Sequence, residues 1–128
     1  MTLRYHRYWL IIGWMLIAAV IFLSVTAHPP KLLPVKWFDK VEHFTSYFVL
    51  MGWFVQLYRT HKQRLLYALL FISQGMALEV VQGMSRWRTF DYWDAAANTA
   101  GIILAWWWSF RGLDRLLPAL ERRLLPVD

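Results

Sequence analysis

The chain contains no cysteine, which excludes a disulfide framework, a thiolate nucleophile and any Cys-ligated zinc or iron–sulfur site. It is also poor in charge: 17% of its 128 residues are Asp, Glu, Lys or Arg, against roughly 25% in ordinary soluble domains. It has no Walker loop and no GxSxG, HExxH or GxGxxG motif, so the chemistries those motifs carry have no local signature here. Period-2 alternation is missing, which argues against a membrane β-barrel. Repeats and low-complexity tracts are absent too. What the chain does have is apolar and aromatic. Hydrophobic residues make up 59%, with nine Trp, six Tyr and eight Phe, and the mean hydropathy is +0.34. That is more apolar surface than one small soluble core can bury, so the composition predicts an integral membrane protein. The net charge of +6 does not point to nucleic acid, because the basic residues are spread over loops instead of forming one face interleaved with aromatics. It suits loops facing a cytoplasm and anionic lipid headgroups.

A spanning helix needs about 20 mostly apolar residues. Four stretches meet that length: 8–27, 40–58, 65–82 and 91–110. The first carries no charge and ends at Pro29 and Pro30, which cannot continue a helix. The fourth closes on Trp106, Trp107 and Trp108, an aromatic cluster suited to a membrane interface. The fold predicted is an all-α integral membrane domain over 1–128, a bundle of four transmembrane helices. Placing both termini inside gathers Arg4, Arg7, Arg59, Lys62, Arg64, Arg111, Arg115, Arg122 and Arg123 on the cytoplasmic side. Lys31, Lys36, Lys40, Arg86 and Arg88 are left outside, so the bias favours N-in/C-in. The competing reading of the first stretch is a cleaved signal peptide, with Arg4 and Arg7 as its basic region and cleavage before His28. The tail 111–128 sets Leu116, Leu117, Leu120, Leu124 and Leu125 among charges, as an interfacial amphipathic segment interrupted by Pro118.

The ionisable residues cluster on one side. Asp39, Lys40, Glu42 and His43 open the second span, Glu79 and Gln82 end the third, and Arg86, Arg88, Asp91, Asp94 and Asn98 lead into the fourth. The other halves of these helices hold little that is polar beyond Gln56 and Gln74. At about 3.6 residues per turn, Asp91, Asp94, Asn98 and Gly101 share one face, as do Asp39, His43 and Tyr47, and Gly75, Glu79 and Gln82 form a third stripe. Three helices thus present polar stripes at one depth, which would line a cleft open to the outside. Gly75, Gly101 and the alanines of the fourth span let helices approach closely.

In these same segments the sequence resembles the VanZ-like family. The likeness rests on DKVEHF at Asp39–Phe44 followed by Tyr47, on EVVQ at Glu79–Gln82, and on RTFDYWDAAANTAG at Arg88–Gly101, and it covers about Trp37 to Gly101. It implies a small bacterial membrane protein of the cell envelope, in the cytoplasmic (inner) membrane, with a link to glycopeptide resistance. It implies no particular mechanism.

Each candidate residue has a chemical and a structural role open to it. Asp39 and His43 suit a carboxylate orienting an imidazole as general base or metal ligand; the structural alternative is Asp39 capping its helix while His43 bonds across the bundle. Glu79 lies inside an apolar helix, as an acid/base, a metal ligand or an ion-pair partner of Arg88 or Lys40. Asp94 and Asn98 could hold a headgroup or a divalent cation, or cap a helix and join two others. Lys40 and Arg88 suit phosphate or carboxylate, and Gln82 suits hydroxyls and amides. Asp91 reads as exposed, and His6, His28 and His61 as unspecialised.

Two functions follow from different classes. One is a binding protein whose cleft recognises an anionic envelope lipid or a lipid-linked cell-wall precursor, with Lys40, Gln82, Arg88 and Asn98 as binding residues. The other is a membrane-embedded hydrolase or transferase using Asp39, His43, Glu79 and Asp94, with Arg88 stabilising negative charge. Ion-coupled transport through Glu79 fits less well, since it needs polar access from both sides. The residues alone name no cofactor or metal; the partners expected are membrane lipids and a second copy of the chain, and no nucleic acid.

Overall fold

A computed structural model describes residues 3–26, 37–85 and 90–125. All of the regular structure among them is helical. Four long helices follow one another: α1 (His6–Val25), α2 (Phe38–Leu57), α3 (His61–Met84) and α4 (Tyr92–Ser109). A short 3-10 turn, Leu113–Arg115, then leads into α5 (Leu116–Leu124). The ends are set by local chemistry. Thr60 caps α3 by accepting from the Gln63 amide at 3.2 Å, and Asp91 caps α4 by accepting from the Trp93 amide at 2.9 Å, each satisfying a donor the first turn leaves free. Asp39 does not cap α2: the cap position is Trp37, with Asp39 in the first turn, where its charge still complements the helix dipole.

The helices α2 and α4 form the most extensive interface. Gly101 makes it possible, because a Cβ there would run into the backbone carbonyl of Phe44 and lie 3.0 Å from the Phe48 nitrogen. Leu50, Met51, Phe54, Val55, Ile102 and Ala105 fill the centre, and Phe71 of α3 meets Phe54 edge-on at 5.1 Å. Helix α1 lies antiparallel to α2, with Gly13 against the Phe54 ring, and buries only Gly13 and Ile17. Trp9, Leu10, Leu16 and Val20 pack half-buried against the core, while other apolar side chains of α1 face outward, among them Ile11, Trp14 and Phe22, as do Leu66, Leu69 and Met76 on α3.

By length and composition, two helices among the described residues are long and apolar enough to cross a membrane: α1, with a mean hydropathy of 2.3, and α3, with 1.5. The second and fourth expected spans are helices at the expected places but do not meet that measure. Asp39, Lys40, Glu42 and His43 lower the hydropathy of α2, and Asn98 together with Trp and Tyr, which hydropathy scales treat as partly polar, lowers that of α4.

Pro118 does not break the tail. It is the third residue of α5, where its missing N–H would have had no intrahelical partner anyway. Nor is Arg64 a free loop cation. It is 5% exposed and donates to the carbonyls of Tyr58 (2.9 Å) and Val55 (2.8 Å), to Ser109 Oγ (3.4 Å) and to Asp114 Oδ2 (3.1 Å). It thereby satisfies the carboxyl end of α2. His6 and His61 open α1 and α3, with His6 Nε2 3.2 Å from the Leu57 carbonyl. His28, Pro29 and Pro30 lie outside the described residues.

Candidate functional site

The first turns of α2 and α4 meet at the end of the bundle where α3 finishes, and their polar side chains interlock. Lys40 on α2 reaches across to α4, its Nζ 2.7 Å from Asp91 Oδ2, 2.5 Å from Asp94 Oδ1 and 3.6 Å from Asp39 Oδ2. One turn further along α2, His43 places Nδ1 2.9 Å from Asn98 Oδ1. Its other nitrogen, Nε2, is 3.6 Å from Asp94 Oδ2 and 3.8 Å from Asp39 Oδ1. Asp39 and Asp94 therefore each turn one oxygen toward Lys40 and the other toward His43. Asp94 and Asn98 are buried, while Asp39, Lys40 and His43 are half-buried.

Glu79 of α3 completes the cluster from below. It is 1% exposed, and its Oε2 accepts the backbone N–H of Asp91 at 3.2 Å. Its Oε1 is buried with no hydrogen-bond partner, although the charges of Asp94 and His43 are near enough to act on it. Gly75, one turn earlier, leaves room for neighbours: a Cβ there would stand 3.2 Å from Asn98 Nδ2 and 3.4 Å from the Tyr47 ring.

The fold thus brings Asp39, Lys40, His43, Asp94 and Asn98 together, with Glu79 bonded at their edge. Gln82 is directed elsewhere, its Nε2 donating to the Ser24 carbonyl of α1 at 2.8 Å. Arg86 and Arg88 lie outside the described residues. Asp91 belongs to the cluster although sequence reasoning set it aside as exposed. Its place just ahead of the fourth helical stretch, a typical cap position, was the available signal.

A groove of about 590 Å3 opens beside this cluster, between α1 and α2. Leu16, Val20 and Leu23 line one wall and Val41 and Leu50 the other, while Asp39 and His43 border it at the start of α2. An apolar trough with convergent polar groups at one end is the usual form of a site for a small amphiphilic molecule.

No known protein family matches the chain, and no solved structure matches it. Over 76 residues it is 37% identical to an uncharacterized protein of Schizosaccharomyces pombe. That match covers 57% of this chain and 47% of the yeast protein, so the chain spans about half the length of the curated relative it matches.

Proposed function

We propose that this chain is a multi-pass membrane protein that receives the head and part of the tail of a membrane amphiphile, with the tail along the α1–α2 groove and the head at the Asp39–His43–Asp94 cluster. The observation that carries this reading is the continuity of the groove with the cluster: apolar side chains give way to Asp39 and His43 within one cavity. The apolar side chains exposed on α1 and α3 support a lipid surround, since soluble monomers rarely show contiguous apolar surface of this extent. All four long helices then span the bilayer, N-in/C-in, with the cluster at the extracytoplasmic end. The likeness to VanZ-like proteins adds the bacterial inner membrane and an anionic envelope lipid or lipid-linked cell-wall precursor as the amphiphile, with a link to glycopeptide resistance.

The described cluster shapes that recognition. Lys40 is engaged by three aspartates, so the sequence leaves Arg88 as the candidate cation for an anionic head, while Asp39, Asp94 and Asn98 take hydroxyls and amides. Native mass spectrometry of the protein released from nanodiscs containing phosphatidylglycerol or a polyprenyl phosphate tests the reading. The wild type should retain one lipid that Ala19→Trp, which fills the groove from its exposed wall, and Arg88→Ala both lose. Equal lipid retention by all three would overturn it.

A second reading, a hydrolase or transferase on a lipid-linked substrate, draws on the bond from His43 to Asn98. That bond holds the imidazole by Nδ1 and leaves Nε2 for proton transfer. Turnover abolished by His43→Ala in pure protein is its test.

A further inference from the structure

We infer that Asp39, His43 and Asp94 bind a divalent first-row transition ion, of the zinc or manganese class. One ligand atom from each residue can be chosen so that all lie within 4.8 Å of one another. His43 Nε2 stands 3.6 Å and 3.8 Å from the nearest oxygens of Asp94 and Asp39. An ion bound at about 2.0–2.2 Å to each ligand spaces neighbouring ligands by about 3–4 Å, a range that both His43–carboxylate spacings already meet.

The orientation of each ligand is set from outside. With Asn98 Oδ1 accepting from Nδ1–H at 2.9 Å, the neutral imidazole presents a lone pair at Nε2 toward two carboxylate oxygens. In that form three lone-pair atoms converge, and a cation held between them would satisfy all three. A ligating histidine ordinarily donates its second ring N–H in this way, and ligating carboxylates are likewise held by outer partners. Here Lys40 holds the distal oxygens of Asp39 and Asp94, leaving the proximal ones for the ion.

Charge and burial point the same way. Among the described residues, Asp39, Asp91 and Asp94 surround Lys40, with Glu79 bonded to the Asp91 amide beside them, so acidic side chains outnumber the one lysine. The Glu79 carboxylate adds an independent sign, since it is 1% exposed and keeps Oε1 buried without a partner beside Asp94 and His43. One imidazole with two carboxylates suits zinc or manganese. Calcium would need six to eight oxygens.

The ion would sit on the same three residues that the proposed function gives to the head of the amphiphile, but its uptake does not require the groove, so Ala19→Trp should bind the ion as the wild type does even if no amphiphile is bound. The experiment is titration of EDTA-treated, detergent-purified protein with Zn2+ and Mn2+, followed by calorimetry and elemental analysis. One ion per chain is expected, with affinity at least about tenfold weaker in His43→Ala and Asp94→Asn and unchanged in Asp114→Asn at the opposite end. A folded wild type that takes up no more metal than His43→Ala would overturn the inference. If the variants do not fold, Mn2+-loaded wild type decides by pulsed electron paramagnetic resonance: coupling to one imidazole nitrogen supports the site, and no nitrogen coupling overturns it.

Discussion

His43 Nδ1 and Asn98 Oδ1 lie 2.9 Å apart, joining α2 to α4 across 55 positions of sequence at the depth where both helices begin. This bond fixes which imidazole nitrogen faces the aspartates, and so decides what the cluster can do. Removing the acceptor leaves a mostly buried ring N–H unmet, at a cost of about 1–3 kcal/mol. Asn98→Ala should therefore lower stability by that amount in an SDS titration followed by far-UV circular dichroism. Asn98→Asp retains an acceptor but adds another carboxylate beside Asp94, so its loss should shrink on acidification. Equal stability of wild type and Asn98→Ala would show that the bond does not hold the helices.

Gly101 should tolerate no side chain. A Cβ would overlap the Phe44 carbonyl, and a backbone atom cannot move aside as a flexible side chain can. Gly101→Ala should separate α2 from α4 and cost on the order of 1–3 kcal/mol, the usual range for overpacking. Gly101→Val should lose more. Thermal denaturation in detergent measures both, and an unchanged midpoint for Gly101→Val would contradict the close approach.

Much of this arrangement was legible in the sequence. The four long helices fall within a few residues of the hydrophobic stretches, because each stretch is bounded by charge, proline or a capping residue. The polar stripes followed from helical spacing: Asp94 and Asn98 are four apart, as are Asp39 and His43, and these four residues come together. Spacing tells which residues share a face but not which neighbour that face meets. Gln82 lies on the Glu79 stripe, yet it turns to Ser24 of α1 because α3 touches α1 as well as α2 and α4. Arg64 and Glu121 were missed for a related reason. Most of their partners are backbone groups, the Val55 and Tyr58 carbonyls and the Arg4 and Tyr5 amides, and such groups leave no trace in residue identity.

Arg64 predicts a sharp asymmetry between removal and replacement. Its guanidinium satisfies the end of α2 and pairs with Asp114 inside the fold. Arg64→Ala strands those carbonyls, each at about 1–3 kcal/mol, and leaves a partly exposed carboxylate to water. Arg64→Lys keeps the charge without the fork geometry that reaches several acceptors at once, so it should recover only part of that. Asp114→Asn, on the more exposed side of the pair, should cost much less. The same SDS titration ranks the three, and an Arg64→Ala variant as stable as Asp114→Asn would show that the carbonyl bonds contribute little.

Glu121 predicts a pH dependence with a definite sign. Its carboxylate accepts from the backbone amides of Arg4 (2.9 Å) and Tyr5 (3.0 Å) and from the Trp9 indole (2.5 Å), tying α5 to the amino end of α1. Burial opposes ionisation, but these N–H donors and the Arg4 charge outweigh it and hold the carboxyl below its ordinary value of 4.5. A group whose folded pKa is depressed is protonated first in the unfolded chain, so its stabilisation is complete above about pH 4.5 and is lost as the pH falls through the lower folded value. The wild type should accordingly exceed Glu121→Gln in stability at pH 7, and the gap should narrow below pH 4.5. Denaturation of both proteins at intervals from pH 7 to pH 3 isolates this group, because every other carboxyl is common to the pair. A gap that stays constant across that range, or widens toward acid, would mean that the charge of Glu121 does not hold the amino terminus to α5.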